Sequence, residues 1–299
     1  MDTRDEIRDF LASRRAKITP QQAGLPVYGG AHRRVPGLRR EEVAMLAGVS
    51  VDYYVRLERG DLAGVSDEVL DALAGALQLD EAERAHLVDL ARAAADRPAR
   101  RRRRAQSDTV PASVQVMLDA MTGAPSVVRN ERLDILATNP LGRALYDPLY
   151  RDRSRPANHA RFAFLDPAAH DFWVNWERSA DDTVGILRTL AGRNPNDKAL
   201  HDLVGELSTR SEDFRSRWAR HNVHQHIGGS KNINHPVVGR LDLMYDTLPI
   251  AQAPGLTMIV YTAAPGTPTA DALQLLASWA ATNAPNHDAS SVPGQQSLS

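Results

Sequence analysis

Clustered basic side chains near the start of the chain are the clearest chemical feature of the sequence. Seven Lys and Arg residues and no acidic residue lie between Phe10 and Arg40, and six arginines lie between Arg97 and Arg104. Segments of this kind attract polyanions such as the phosphates of nucleic acids. The chain of 299 residues nevertheless has a formal net charge of −1. The indication of polyanion binding therefore comes from these local basic segments and not from the net charge of the whole chain.

Four histidines, His221, His224, His226 and His235, form a second cluster with the residue type that binds metals. No Cys occurs in the chain and no Glu lies within the cluster, so the ligand set of a zinc site is incomplete. Exposed or hydrogen-bonded imidazoles are the simpler interpretation, and we expect no metal. The absence of Cys also excludes disulfides and thiolate catalysis.

Signatures of catalysis are missing from the sequence. The segment from Gly228 to Lys231 ends like a phosphate-binding loop, but the first glycine of that motif is absent and no strand–loop–helix pattern surrounds it. There is no G-x-S-x-G, H-E-x-x-H or G-x-G-x-x-G motif. We therefore expect no catalytic residues, no enzymatic activity and no resident cofactor.

Closely spaced helices are predicted for the first 95 residues. Apolar residues at helical spacing indicate one helix over about residues 3–17, and then Leu38–Ala47 and Val51–Arg59. Two more helices are predicted to begin at Ser66 and Asp80, where capping residues precede an apolar period. A small all-helical domain follows from this pattern.

A tight turn joins the second and third of these helices. Gly48 tolerates a left-handed backbone and ends one helix, and Ser50 is a favourable N-cap for the next. Two short helices joined in this way form a helix-turn-helix. The segment EEVAMLAGVSVDYYVRLERG resembles the core of the lambda-repressor-like, or XRE, family of helix-turn-helix domains, and the resemblance covers about residues 3–95. The matching residues are Val43, Ala44, Gly48, Ser50, Tyr54, Leu57, Glu58 and Gly60.

This resemblance implies binding to a double-stranded DNA operator, with the third helix in the major groove. Arg56 suits the two acceptors of a guanine edge, while Asp52 either accepts from cytosine or only favours the helix dipole. Glu58 is expected to pair with Arg14 or Arg15. The implied DNA-binding residues are Arg33, Arg34, Arg39 and Arg40 for phosphates or the minor groove, and Ser50, Val51, Asp52, Tyr53 and Arg56 around the base-reading face.

Residues 112–282 are predicted to mix helices with antiparallel strands. Asp166–Leu190 is predicted to be one long helical stretch, and helices are expected on one side of the sheet. The predicted fold is therefore multidomain, with an all-α helix-turn-helix domain followed by an α+β domain. The predicted strands are Ser126–Arg129, Leu133–Ala137, Lys231–Pro236, Gly239–Leu248 and Leu256–Thr262.

This second region resembles the PAS-like ligand-binding domain of MmyB-like transcription regulators. The segments that carry the resemblance are VVRNERLDILATNPLGRALY, NHARFAFLDP, WARHNV, NHPVVGRLDLMY and LTMIVYTAAPGT. The resemblance implies a sensor for a small, elongated apolar ligand such as a fatty acid. A domain that binds a partner protein instead is the alternative.

Large apolar side chains are the candidate ligand contacts, although such residues more often fill a core. Arg161 either holds a ligand carboxylate through two hydrogen bonds or forms a surface ion pair. The implied ligand-binding residues are Arg161, Phe162, Phe164, Trp173, Trp176, Phe214, Trp218, Met244 and Tyr245.

The chain is expected to divide into a helix-turn-helix domain (1–95), a basic linker (96–111), a ligand-binding domain (112–282) and a disordered tail (283–299). The arginines from Arg100 to Arg104 are either a solvated tether or an additional DNA contact. The most apolar stretch, Gly255–Ala264, is too short to span a membrane, so a cytoplasmic protein with no membrane contact is expected. A homodimer is implied by the family and by operator geometry.

Overall fold

The computed structural model describes residues 3–26, 35–95, 108–152, 155–222 and 228–283. The helices of the first part surround one apolar core, to which α1 contributes Ile7, Phe10 and Leu11 and α3 contributes Tyr54 and Leu57. This arrangement confirms the predicted helical domain. The helices are α1 (Thr3–Lys17), α2 (Arg40–Leu46), α3 (Val51–Glu58), α4 (Asp67–Ala76) and α5 (Glu81–Ala95).

The turn between α2 and α3 has the geometry that the sequence predicts. Gly48 has a φ of +66°, the left-handed conformation that favours glycine. The Ser50 hydroxyl accepts a hydrogen bond from the Tyr53 N–H at 3.1 Å and so caps α3. This turn fixes the orientation of α3 relative to α2.

The second part is built on a five-stranded sheet with the order β2-β1-β5-β4-β3. Every neighbouring pair of strands is antiparallel, as predicted. The strands are β1 (Ser126–Arg129), β2 (Ile135–Thr138), β3 (Gly228–His235), β4 (Gly239–Pro249) and β5 (Thr257–Thr262). The helices are α6 (Ala112–Ala120), α7 (Pro140–Leu145), α8 (His159–Leu165), α9 (Ala168–Phe172), α10 (Trp176–Arg193), α11 (Lys198–Arg210), α12 (Glu212–Trp218) and α13 (Pro268–Asn283), with a 3-10 turn at Asp147–Tyr150.

Side chains alternate between the two faces of the sheet, as the pleat requires. Val127 of β1 and Ile259 of β5 lie in the main core, together with residues of α7, α9, α10 and α13. Their neighbours Val128 and Met258 lie in a smaller core under α6. Helices therefore cover both faces, and the expectation of helices on one side only is wrong for α6.

The long helix predicted over Asp166–Leu190 is interrupted. Trp173 is extended, with φ −86° and ψ 120°, and forms a β-bridge with Ile233 of β3. The Asn175 side chain then accepts a hydrogen bond from the Arg178 N–H at 3.0 Å and starts α10. A tertiary contact with the sheet and a new helix cap thus override the helical period of the sequence.

Candidate functional site

The exposed face of α3 carries the predicted base-reading side chains. Val51 is 44% exposed, and Asp52 is also exposed. The Arg56 guanidinium lies 4.9 Å from the ring centre of Tyr53 and 3.4 Å from Asp61. Its planar donor group is therefore held on this face by two neighbours, yet 58% of the side chain stays exposed to a DNA groove.

Glu58 fixes the opposite face of α3 to the rest of the domain. This carboxylate is 2% exposed; it accepts a hydrogen bond from Arg15 of α1 at 2.6 Å and also pairs with Arg40 of α2. The Tyr54 hydroxyl donates to it at 3.3 Å. The predicted pairing with Arg15 is confirmed, whereas Arg14 turns to Glu83 at 3.2 Å.

The predicted phosphate-binding residues are in unlike positions. Arg39 precedes α2 and lies 3.4 Å from Glu41, and 49% of its side chain is exposed to solvent. Arg40 is 55% exposed, but its guanidinium already pairs with Glu58. Arg33 and Arg34 lie outside the described residues, as do the arginines from Arg100 to Arg104.

A small cavity lies between α10 and the sheet. Its volume is about 20 Å³, which is room for one or two water molecules. The sheet contributes its inward-facing residues, and α10 closes the cavity from above. The lining residues are Val127, Arg129, Leu133, Ile135, Tyr146, His159, Asp182, Thr183, Ile186, Lys231, Tyr245, Ile259 and Tyr261.

Two cations face this cavity. Lys231 is 9% exposed and its ammonium lies 4.2 Å from the ring centre of Trp173. Burial lowers the pKa of Lys231 to about 8, and it also lowers the pKa of Arg129. The charge of Asp182 acts in the opposite direction and raises the pKa of Lys231. Asp182 on α10 is the acidic residue among those lining the cavity.

Two phenols and an imidazole complete the lining of the cavity. The hydroxyls of Tyr146 and Tyr261 are 2.6 Å apart, and burial raises the pKa of both phenols. Burial, together with the charges of Lys231 and Arg129, holds the pKa of His159 well below its usual value. The histidine is therefore neutral at pH 7, and the cavity combines two positive groups with hydroxyl and imidazole donors and acceptors.

Of the ligand-binding residues predicted from sequence, only Tyr245 lines this cavity. Trp173 lies behind Lys231. Met244 is adjacent to Tyr245 in β4 and therefore points to the other face, where it is 55% exposed. The prediction that Met244 and Tyr245 line the same pocket is wrong, because neighbouring residues of a strand face opposite sides of the sheet. The other predicted aromatics, Phe162, Phe164, Trp176, Phe214 and Trp218, pack in the cores.

Arg161 does not reach the cavity. Its Nε lies 2.8 Å from Glu206 and its Nη1 lies 3.8 Å from Asp134. It lines a separate surface groove of about 320 Å³, where Arg155 and Arg210 also pair with Glu206. The surface ion pair, which was the alternative interpretation of Arg161, is therefore the observed one.

The sequence analysis missed Arg129, Lys231 and Asp182 as cavity residues. The alternation Lys231, Ile233, His235 in β3 indicates that Lys231 shares the inward face with two buried residues. That signal is present in the sequence, because a charged residue in phase with apolar ones is unusual. The contribution of α10 has no such signal, since it depends on tertiary packing.

The far half of α10 docks onto the helix-turn-helix domain. The Arg188 side chain is 0% exposed and pairs with Glu6 of α1. It also lies 2.9 Å from the Nδ1 atom of His221 and donates to the Trp218 carbonyl. A buried arginine with a carboxylate on the other domain is a contact that any relative movement has to break.

A close approach between α10 and α5 lies beside this ion pair. A Cβ atom added to Gly192 would lie 2.5 Å from Cε1 of His86, so the two helices meet with no room for a methyl group. His86 is fully buried, and burial lowers its pKa to about 3. Arg193 of α10 pairs with Asp89 of α5 at 2.8 Å.

The two described members of the histidine cluster lie in separate contacts. His221 is part of the interdomain contact, whereas Nε2 of His235 lies 3.1 Å from the Ala144 carbonyl. His224 and His226 lie outside the described residues. No group of three or more His, Cys, Asp or Glu in the described ranges is arranged to hold a metal ion. Nor is any described helix long and apolar enough to cross a membrane.

A helix-turn-helix domain joined to an α+β domain with an internal polar cavity defines a DNA-binding protein with a sensor domain. Residues 110–276 match the family model of the MmyB-like transcription regulator ligand binding domain, and residues 8–87 match that of a helix-turn-helix domain. The first match spans more than half of the chain, so the chain belongs to the MmyB-like transcription regulators. No match was found among the curated proteins.

Proposed function

We propose that this protein binds a double-stranded DNA operator sequence-specifically, as a homodimer in the cytoplasm, and that a small apolar ligand in the C-terminal domain changes its affinity for that operator. A fatty acid is the ligand that the family resemblance suggests. In this proposal the chain is not an enzyme and uses no cofactor beyond that ligand. The single observation that carries the proposal is the position of α10.

Helix α10 takes part in both sites. Asp182, Thr183 and Ile186 in its middle line the cavity. Arg188 and Gly192, nearer its C-terminal end, contact α1 and α5. A helix is a stiff rod over this distance, so a displacement at one half is transmitted to the other.

The size of the cavity supports a linkage between binding and movement. About 20 Å³ holds water but no acyl chain, whereas ligand pockets for small molecules have volumes of roughly 300–1,000 Å³. A ligand of that size has to widen the cavity, and α10, which forms one of its walls, is the element we expect to move. Because the same helix carries Arg188, the ligand then favours a different arrangement of the two domains, which is the condition for an effect on DNA binding.

The experiment begins with the ligand. Denaturation of the purified full chain followed by mass spectrometry should release a small apolar molecule in near-stoichiometric amount. Genome-wide footprinting with and without that molecule should then give the operator and a change in its occupancy. A chain that carries no small molecule, but captures a protein that changes operator occupancy, would contradict the ligand and support the partner-protein alternative.

A further inference from the structure

The contact between α10 and the helix-turn-helix domain is built around two buried charges. The Arg188 side chain is 0% exposed and pairs with Glu6 of α1, which is 5% exposed. The guanidinium also lies 4.1 Å from the ring centre of Trp218 and donates to the Trp218 carbonyl. Burial raises the pKa of Glu6, whereas the charge of Arg188 lowers it. While the two domains are in contact, here called the docked arrangement, each charge therefore offsets part of the cost of burying the other.

Further polar contacts surround this interdomain ion pair. The Lys17 ammonium of α1 donates to the Asn222 side chain at 2.6 Å, and Arg193 of α10 pairs with Asp89 of α5 at 2.8 Å. Charged groups regain their hydration when they separate, and this gain offsets much of the attraction that is lost. Separation of an apolar interface, in contrast, exposes its whole area to water. The composition of the contact is therefore typical of domain interfaces that open and close.

The docked helix α1 also holds the recognition helix. Arg15 follows Glu6 in α1 by about two and a half turns and donates to Glu58 of α3 at 2.6 Å. Glu58 is buried, so this pair lies inside the helix-turn-helix domain. One helix thus carries the sensor contact near its beginning and the α3 contact near its end. Docking therefore fixes the orientation of α3 relative to the sensor domain.

Docking leaves the predicted DNA-binding face open. The contact uses α1 and α5, whereas Val51 and Arg56 on the outer face of α3 are 44% and 58% exposed. Arg39, which precedes α2, is also exposed. A contact that inhibits DNA binding by blocking the domain would cover these side chains. The geometry therefore favours a contact that positions α3 over one that blocks it.

We propose that the ion pair between Arg188 and Glu6 holds the helix-turn-helix domain in the arrangement that binds the operator, and that separation of the domains releases DNA. This inference rests on the proposed function, because it assumes a dimer that is joined through its sensor domains. Two recognition helices bind together only while they are held one turn of DNA apart. Once the domains separate, the second recognition helix binds at a lower effective concentration. A ligand that displaces α10 therefore lowers the operator affinity.

Removal of the Glu6 charge tests the ion pair. In Glu6→Gln the buried Arg188 loses its carboxylate partner, so the docked arrangement becomes less stable relative to the separated one. We expect the affinity for the footprinted operator, measured by fluorescence anisotropy, to fall at least about fivefold. Asp5→Asn is the matched control, because it removes the same charge from the same turn of α1, where Asp5 is 54% exposed and pairs with Arg8. Equal operator affinities of the two variants would overturn the proposal.

A cross-link that prevents separation gives the opposite test. Because the chain has no Cys, Asp89→Cys and Arg193→Cys introduce the only two thiols, at positions whose side chains meet across the contact. A bismaleimide with a disulfide in its spacer joins them, and reduction of the spacer provides the control within the same molecule. We expect the cross-linked chain to bind the operator at least as tightly as the wild type, and Glu6→Gln to weaken binding only after reduction. Weaker binding before reduction than after it would overturn the proposal.

The direction of the ligand effect separates this inference from the proposed function. The small molecule released from the denatured chain should lower operator occupancy in the footprinting experiment. A rise in occupancy would leave the proposed function standing and overturn the role of the ion pair. Failure of the wild-type and cross-linked chains alike to bind any operator would contradict the proposed function, and this inference with it.

Discussion

Arg56 is the side chain on which base recognition by α3 most depends. It is held by Tyr53 and Asp61 but remains mostly exposed. In Arg56→Ala we expect discrimination at one operator position to fall by about 1–3 kcal/mol, since a bidentate contact with guanine is lost. Competition binding with single-base operator variants measures this. Unchanged relative affinities across those variants would remove Arg56 from the base-reading set.

Arg39 should act differently, because a phosphate contact has no base preference. Arg39→Ala is expected to weaken binding to all sequences alike and to reduce the salt slope of log K by about 0.9 for the lost phosphate. Arg56→Ala serves as the comparison, since it changes preference between operator sequences. A salt slope equal to that of the wild type would contradict the phosphate contact.

Individual residues differ in how well the sequence predicts them. Ser50, Gly48 and Glu58 follow from local rules of capping and turn geometry and from a family pattern, and each is found as expected. The cavity residues require knowledge of strand order, because Arg129 and Lys231 are about a hundred positions apart. Large aromatics mislead at this scale, since their contribution to core packing is indistinguishable in sequence from a contribution to a pocket.

Among the elements, α10 contacts both α1 and α5 and so connects the two parts of the molecule. Gly192→Ala should disturb this connection, because the new methyl group would overlap the His86 ring. We expect a loss of stability of about 1–3 kcal/mol and a smaller effect of ligand on operator affinity. Calorimetric melting and anisotropy titrations with and without ligand measure the two.

A second glycine provides the control. Gly205 in α11 has nothing within 4 Å of an added Cβ atom. Gly205→Ala should therefore raise stability by up to about 1 kcal/mol through helix propensity alone, and leave the ligand effect unchanged. Equal behaviour of the two variants would show that the contact between α10 and α5 has no part in the response.

The buried histidines at the contact between the two domains predict that the free energy of unfolding depends on pH. Burial lowers the pKa of His86 to about 3 and that of His221 to about 4, and the cations Arg188 and Arg14 act in the same direction. The unfolded chain binds protons at these groups near pH 6.5, whereas the folded chain does not. The free energy of unfolding should therefore fall as the pH falls from about 7 towards 4.

Denaturant titrations between pH 7 and pH 5 measure how the free energy of unfolding changes with pH. Most carboxylates titrate below this range and therefore contribute little to the change. His86→Gln removes one of the two groups, so its unfolding free energy should depend less steeply on pH. A slope identical to that of the wild type would mean that His86 takes up its proton in the folded protein as readily as in the unfolded one.

Elements are better predicted than their ends and breaks. The sequence predicts the five strands within a few residues of their observed positions, because alternation and turn residues mark them. It does not predict the break between α9 and α10, since that break depends on the bridge of Trp173 to Ile233 across more than fifty residues. That break sets where α10 begins, and hence which of its residues face the cavity.

At the scale of the whole molecule, operator geometry gives a prediction for assembly. Recognition helices of a dimer contact half-sites one turn of DNA apart, about 10–10.5 base pairs between their centres. We expect two chains per operator and a twofold-related sequence with that spacing. Sedimentation of the complex gives the stoichiometry, and insertion of five base pairs between half-sites should abolish tight binding. A single chain bound with full affinity would contradict the dimer.

The small size of the cavity between α10 and the sheet also bears on how long the molecule lasts in a cell. A ligand that binds there only in the folded chain shifts the folding equilibrium towards the folded state by mass action. Proteases act on the unfolded fraction, and a change of one or two kcal/mol in stability alters protein abundance several-fold. We therefore expect the regulator to accumulate when its ligand is plentiful and to be degraded faster when it is scarce.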